Sequence, residues 1–161
     1  MMSRYFFAVL SGVMVLAALG FCQPATVALS YYDDGQGMPE PPLSNACTGG
    51  VPYADGTAMV SLIHDEGPQG PDSLDPVYYS VPINGEAEFG EQGYFYTDNP
   101  DVVLQPPDPL TNYYVEVRGG GICWRTHTFD VSGGVSELGF TGSDWTCLPD
   151  TMPPRPRSAF A

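Results

Sequence analysis

Apolar and polar side chains alternate over short stretches of this chain, and turn-forming residues separate the stretches. Residues 57–64 (TAMVSLIH) place Ala58, Val60 and Leu62 on one face of an extended strand. The other face carries Met59, Ser61 and Ile63. No stretch keeps a helical period of apolar residues over ten positions. The pattern therefore predicts an all-β protein.

Further strands are predicted between breaks of glycine, proline and asparagine. Tyr113, Val115 and Val117 share one face of a strand, and residues 119–121 are three glycines that predict a hairpin to the next strand. Pro82 restricts its strand to a sheet edge or a strand end, and Asn84-Gly85 predicts a second hairpin. The predicted strands are residues 57–64, 76–83, 87–97, 102–104, 112–118, 122–131 and 136–140. About seven strands are enough for the two packed layers of a β-sandwich.

Four short motifs follow one another in the predicted sandwich. They are GVP at residues 50–52, DGTAMVSL at 55–62, QGYFYTD at 92–98 and LTNYYVEV at 110–117. Their order resembles the prealbumin-like sandwiches of bacterial surface proteins, the Cna-B and carboxypeptidase-regulatory-like group. The resemblance covers residues 49–131 and implies an Ig-like or prealbumin-like β-sandwich. Many Cna-B domains contain an isopeptide bond from a lysine, which this lysine-free chain cannot form.

The N-terminus predicts export. Arg4 precedes an apolar run over residues 5–21, as in a secretory signal peptide. Small residues favour cleavage after Ala28, and cleavage after Gly20 is the alternative. An uncleaved anchor is the competing interpretation, because the run approaches the roughly 20 residues that span a bilayer. The predicted organisation is a signal peptide (1–28), an extended leader with little core (29–46), a β-sandwich (47–148) and a disordered tail (149–161).

Three cysteines follow the predicted cut after Ala28. An oxidising compartment favours a disulfide over a catalytic thiol, and one cysteine is then left unpaired. The predicted pairing is that of Cys123 with Cys147, which would join the last strands. The pairing of Cys47 with Cys147 would instead connect the two ends of the domain, and spacing alone does not choose between them.

The charge of the chain excludes two classes of partner. It has nineteen acidic and five basic residues, a formal net charge of −14, and all the basic residues are arginines. Such a surface repels phosphate backbones, which excludes nucleic acid and anionic membrane surfaces as electrostatic partners. Cations are its natural counterpart, and an unidentified protein or glycan is the remaining class of partner. Negative charge that serves only solubility is the competing interpretation.

One loop concentrates acidic side chains. HDEGPQGPDSLDP, residues 64–76, carries Asp65, Glu66, Asp72 and Asp75 among glycines and prolines. These are the hard oxygen ligands that calcium prefers, although the spacing does not match an EF-hand. The loop is therefore a candidate calcium site, and a proline-stiffened turn whose acids face water is the alternative.

Aromatic residues suggest a second kind of site. Adjacent aromatics on a strand place one ring on each face, so some rings are expected at the surface. Tyr94, Tyr96 and Trp124 are the predicted ligand-binding residues, since exposed rings stack on sugars or anchor protein partners. A carbohydrate-binding accessory domain is accordingly the first alternative function.

A catalytic constellation is not predicted. His64 and His127 are the only histidines, and neither lies in a nucleophile-elbow motif or in a zinc-binding spacing. Glu86, Glu88 and Glu91 are a candidate carboxylate group for a small extracellular hydrolase, the second alternative. The sequence thus predicts a secreted, cell-surface or periplasmic non-catalytic module, stabilised by calcium if the acidic loop binds it.

Overall fold

A computed structural model of the chain describes residues 24–32, 40–68, 70–97, 102–104 and 109–151. Within these described residues, a short helix, α1 (Gly85–Phe89), and a 3₁₀ helix (Gly142–Asp144) accompany nine strands. The strands are β1 (Ala25–Tyr31), β2 (Met59–His64), β3 (Val77–Pro82), β4 (Phe95–Tyr96), β5 (Val102–Leu104), β6 (Tyr113–Gly119), β7 (Ile122–Thr126), β8 (Gly134–Gly139) and β9 (Trp145–Pro149). In this part of the chain, no helix is both long and apolar enough to cross a membrane. The all-β prediction is confirmed.

The strands form two sheets. In the four-stranded sheet, β1 pairs with β8 in parallel and with β4 and β5 in antiparallel. The five-stranded sheet has the order β3-β2-β6-β7-β9, and all its pairs are antiparallel. Strand β3, which ends at Pro82, lies at an edge as predicted. A single cluster of buried side chains from both sheets forms the core, an arrangement compatible with a β-sandwich.

Alternation along the strands explains which side chains enter the core. Val60 and Leu62 of β2, and Val115 and Val117 of β6, are fully buried in the shared cluster. They belong to the faces that the sequence pattern predicted. Full burial of each such side chain contributes about 1.5–3 kcal/mol to folding.

Strand β1 lies where we predicted the end of the signal peptide and a leader with little core. Its side chains alternate with period two, and Val27, Leu29 and Tyr31 are buried in the core, as is Leu43 farther along. The apolar run that precedes β1 conceals this alternation in the sequence. Residues 1–23, which hold most of the predicted signal peptide, and residues 152–161 of the predicted tail lie outside the described residues.

The predicted hairpin at Asn84-Gly85 is replaced by helix α1, so the strand predicted over 87–97 shortens to β4. The Asp55 carboxylate accepts hydrogen bonds from the backbone N–H groups of Glu86 (2.8 Å) and Ala87 (2.9 Å) at the start of the helix. The Asn84 side chain is bound to the backbone of Tyr96 instead of forming a turn. These side-chain contacts satisfy the backbone groups that a hairpin would have paired.

Candidate functional site

The acidic loop, residues 64–76, connects β2 to β3 and contacts the outer face of the five-stranded sheet. We use "outer face" for the side opposite the core, which carries Tyr114, Glu116 and Arg118 of β6 and Cys123 and Arg125 of β7. Strand alternation places these five side chains together. The acidic loop is thus held against a polar surface and not against the apolar core.

Asp75 anchors the acidic loop to the outer face. It is only 6% exposed, and its Oδ2 accepts hydrogen bonds from the Tyr114 hydroxyl at 2.9 Å and from the Asp72 N–H at 2.7 Å. Its Oδ1 accepts from the Glu66 N–H at 3.2 Å. Buried polar groups need hydrogen-bond partners, and both oxygens of Asp75 have them. Asp75 therefore has a structural role in this loop.

The other acids of the loop serve its own turns or face solvent. Asp65 Oδ1 accepts from the Gly67 N–H at 3.1 Å, and Asp72 Oδ1 accepts from the Leu74 N–H at 2.6 Å. These bonds are typical of aspartate-stabilised turns. The Glu66 side chain is 64% exposed. Among residues 24–32, 40–68, 70–97, 102–104 and 109–151, no group of three or more His, Cys, Asp or Glu side chains is arranged to hold a metal ion.

Calcium binding by this loop remains a prediction from ligand type. It predicts that EDTA lowers the melting temperature and that calcium restores it, because binding to the folded state alone adds stability. Differential scanning calorimetry of the whole chain measures this, with magnesium as the control ion. A melting temperature that is the same in EDTA and in millimolar calcium contradicts the prediction.

Glu116 is the centre of a buried ionic network on the outer face. Its side chain is 1% exposed and lies between two guanidinium groups. Arg125 donates to Glu116 Oε1 from Nε at 2.9 Å and from Nη2 at 2.6 Å, and Arg118 Nε donates to Oε2 at 2.9 Å. Arg118 also donates to Asp150 at 3.0 Å. Both oxygens of the buried carboxylate therefore have charged donors.

The network also connects the sheet to the acidic loop. The Arg125 guanidinium lies 5.3 Å from the centre of the Tyr114 ring, and its Nη1 donates to the Pro71 carbonyl at 3.3 Å. Apart from the two histidines, Arg118 and Arg125 are the basic residues in the part of the chain that the structure describes. Because both pair with carboxylates at the outer face, they do little to offset the acidic groups elsewhere on the surface.

The disulfide joins Cys47 to Cys147, the second of the two pairings left open by the sequence. Cys123, the predicted partner of Cys147, is free and buried, so that prediction is wrong. The register of β7 and β9 explains why Cys123 and Cys147 are not bonded to each other. Cys123 lies opposite Leu148, whereas Cys147 lies opposite Trp124. Cross-strand neighbours point to the same face, so Cys123 and Cys147 point to opposite faces of the sheet and cannot bond.

Burial controls the ionisation of two groups near the network. Burial, and after it the Glu116 carboxylate, raises the pKa of the Cys123 thiol from 9.0 to about 11, although both arginines act to lower it. Burial also raises the pKa of Tyr53 from 10.0 to about 12, with smaller contributions from Cys123 and Asp150. The Tyr53 hydroxyl donates to the Gly119 carbonyl at 2.7 Å. Both groups are therefore neutral at physiological pH, and Cys123 is not an activated thiol.

These pKa shifts predict a loss of stability in alkali. Because the unfolded chain releases both protons first, the stabilising contribution of Cys123 is complete below pH 9.0 and disappears towards pH 11. The stabilising contribution of Tyr53 disappears between pH 10.0 and about 12. Urea unfolding across this range measures the fall. Cys123→Ala should remove the earlier part of the decline and Tyr53→Phe the later part; a decline that neither variant alters would contradict the assignment.

The three predicted ligand-binding aromatics do not form one exposed surface. Tyr94 is buried, and its hydroxyl donates to the Glu40 carbonyl at 2.6 Å. Tyr96 lies in β4 of the four-stranded sheet, whereas Trp124 lies in β7 of the five-stranded sheet and donates from Nε1 to the Ser44 carbonyl at 2.8 Å. The contacts of Tyr94 and Trp124 stabilise the segment over residues 40–44.

An exposed aromatic pair lies elsewhere, and the sequence pattern did not indicate it. Tyr32 and Phe89 stack with their ring centres 4.9 Å apart and are 42% and 38% exposed. Tyr32 also borders a surface groove of about 270 Å³ where the parallel strands β1 and β8 end. The groove is lined by Ser30, Tyr32, Glu40, Gly139, Phe140 and Thr141. It combines aromatic rings with a carboxylate and a hydroxyl group.

The candidate catalytic carboxylates and the histidines lie in different parts of the fold. Glu86 and Glu88 are in α1 and Glu91 follows it, whereas His64 ends β2 and His127 follows β7. Glu86 lies in α1, where a hydrogen bond from Gln92 and one from the Asp55 backbone lower the pKa of its carboxyl. His64 Nδ1 is 4.0 Å from Glu66, and His127 Nδ1 is 3.8 Å from Asp144, both beyond hydrogen-bond distance. Neither of these two contacts orients a histidine for proton transfer, and the hydrolase alternative stays a prediction from the sequence.

Comparison with known proteins found no matching family model, no significantly similar curated protein and no significantly similar solved structure. The fold is therefore described by its two sheets and the core that they share.

Proposed function

We propose that this chain is an exported, non-catalytic β-sandwich module with a structural or binding role at the cell surface or in the medium. The observation that carries the proposal is the Cys47–Cys147 disulfide, since such bonds persist in oxidising compartments and are rare in the cytoplasm. The apolar run over residues 5–21, preceded by Arg4, supports export independently.

The distribution of charge supports a binding role towards a cationic partner. Arg118 and Arg125 are paired with Glu116, while the chain as a whole has a formal net charge of −14. An acidic surface attracts a basic protein surface or cations and repels nucleic acid and anionic lipid. The partner is therefore proposed to present positive charge.

Expression of the whole chain in a secreting bacterial host tests the proposal. We expect the protein in the periplasm or medium, with Cys47 bonded to Cys147 and with Cys123 alkylated only after denaturation. Peptide mapping by mass spectrometry identifies the disulfide partners and the alkylated cysteine. A chain that stays in the cytoplasm with all its thiols reduced contradicts export, and turnover in a screen of ester and glycoside substrates contradicts the non-catalytic role.

We also propose a prealbumin-like form of the sandwich. Supporting it, the Tyr-x-Val-x-Val motif is the central strand β6, and the Gly-Tyr-Phe motif leads into β4. An experimentally determined structure tests this assignment through its strand connections. A sandwich whose connections differ from that family would leave the export proposal intact and remove the family.

Carbohydrate binding is the second candidate function, and the Tyr32–Phe89 pair with its neighbouring groove favours it. The exposed ring of Tyr32 offers an apolar face to a sugar, and the Glu40 carboxylate can accept hydrogen bonds from hydroxyl groups. The proposed sugar contact thus lies at Tyr32 and not at the three aromatic residues predicted from the sequence.

A glycan array probed with the labelled protein tests this candidate. We expect Tyr32→Ala to weaken binding of any bound glycan about tenfold, because loss of one ring contact removes roughly 1.4 kcal/mol. Leu74→Ala is the control, since Leu74 is 87% exposed and lies on the acidic loop. Absence of glycan binding, or equal binding by the Tyr32 variant, contradicts the candidate.

A further inference from the structure

The position of β1 in the fold bears on where the chain is processed during export. β5 pairs with β1 through Ala25, Thr26 and Val27, and β8 pairs with it along residues 25–30. Cleavage after Ala28 would remove every β1 residue that pairs with β5. It would also leave Gly134, Val135, Ser136 and Glu137 of β8 without their partners in β1. The four-stranded sheet would lose four of the seven residues of its central strand.

Cleavage after Ala28 would also remove core side chains. Ala25, Val27 and Ala28 are at most 2% exposed, and Ala25 and Val27 belong to the cluster shared by both sheets. Leu104 of β5, itself buried, lies opposite Ala25 in the register. Removing the strand would expose this apolar surface to water and leave a cavity in the core.

The new N-terminus would carry a charge in a buried position. After this cut the chain would begin at Leu29, which is fully buried. The Leu29 backbone nitrogen donates to Thr97 Oγ1 at 2.8 Å, and that bond is buried. An ammonium group there would be desolvated with a neutral hydroxyl as its hydrogen-bond partner, which is strongly unfavourable. In contrast, Pro24, which precedes β1, is exposed.

We infer that the export segment is cleaved before Pro24, after Gly20, so that the mature chain begins at Phe21 and keeps the whole of β1. Gly20 and Ala18 supply the small residues that a signal peptidase requires at the cleavage position and two residues before it. This inference rests on the proposed export. It adds a processing site defined by the fold: the buried strand excludes the later cut.

Intact-mass measurement of the secreted full-length gene product tests the inference. The expected mass corresponds to residues 21–161, and a protein that begins at Leu29 overturns the inference while leaving export in place. A chain retained uncut in the cytoplasm contradicts the proposed function as well, so the two failures are distinguishable.

Matched substitutions sharpen the test. Ala18→Tyr places a bulky side chain two residues before the cut after Gly20, and Thr26→Tyr does the same for the cut after Ala28. We expect Ala18→Tyr to abolish cleavage after Gly20 and Thr26→Tyr to leave it unchanged. Thr26 is half-buried in β1 and lies off the core cluster, so tyrosine there is compatible with a strand. The opposite result, a block by Thr26→Tyr alone, overturns the inference.

Discussion

Replacing Cys47 and Cys147 by alanine is expected to lower the free energy of unfolding by about 4.7 kcal/mol, the value that chain entropy predicts for a loop of this length. The two cysteines are 100 residues apart, so the bond restricts most of the unfolded sandwich. The bond also holds the segment around Cys47 next to β9. Urea unfolding of the oxidised protein and of the double variant measures the difference.

Cys123→Ala is the control for the disulfide, because it removes a buried sulfur without touching the bond. It should cost about 1 kcal/mol, the typical effect of a small core substitution. Reduction of the unsubstituted protein should reproduce the effect of the double variant. A double variant as stable as the oxidised protein would mean that the bond does not stabilise the fold.

Glu116→Gln is expected to lower the free energy of unfolding by about 3 kcal/mol. The substitution keeps the shape of the side chain but leaves two guanidinium groups without their shared counter-charge. Removing one partner from a buried pair costs about 3–5 kcal/mol, and the lower end applies here because both arginines keep some contact with water. The urea midpoint should fall while the slope of the transition stays unchanged.

Glu137→Gln provides a matched control, since Glu137 is an exposed glutamate on a strand. It should change stability by less than about 0.5 kcal/mol. Replacing Glu116, Arg118 and Arg125 together by leucine or methionine should recover most of the loss, because the fully buried carboxylate and both its partners are removed together. Asp150 then loses Arg118, but its side chain is 23% exposed and keeps contact with water. A single variant as stable as the control would contradict the central role of Glu116.

The strand pattern could be predicted where alternation is undisturbed. Val115 and Val117 enter the core as expected from their spacing, and Gly120 and Gly121 turn the β6–β7 hairpin with positive φ values of 58° and 81°. Strand β1 escaped prediction because its alternating residues directly follow a longer apolar run. Helix α1 was not predicted because its N-terminal N–H groups bind Asp55, thirty-one residues before Glu86. A local sequence pattern does not contain such a contact.

The candidate sites were harder to predict than the strands. Acidic residues in the loop at 64–76 suggested an ion site, but only the fold places Asp75 beneath the loop against the Tyr114 hydroxyl. The choice of disulfide depended on strand register, which puts Cys123 and Cys147 on opposite faces of the sheet. Tyr32 and Phe89 are far apart in the chain, so no local sequence motif predicts their contact. For Asp75, the disulfide and the aromatic pair alike, the contact that defines the site joins segments far apart in the sequence.

The disulfide also determines how the folded chain would respond to tension. The shortest covalent path through the sandwich runs from β1 to Cys47, crosses to Cys147 and continues through the end of β9. A pulling force on the two ends would therefore bypass most of the five-stranded sheet and act on the hydrogen bonds between β1 and its neighbours. Extension would be limited to the segments outside the bridge.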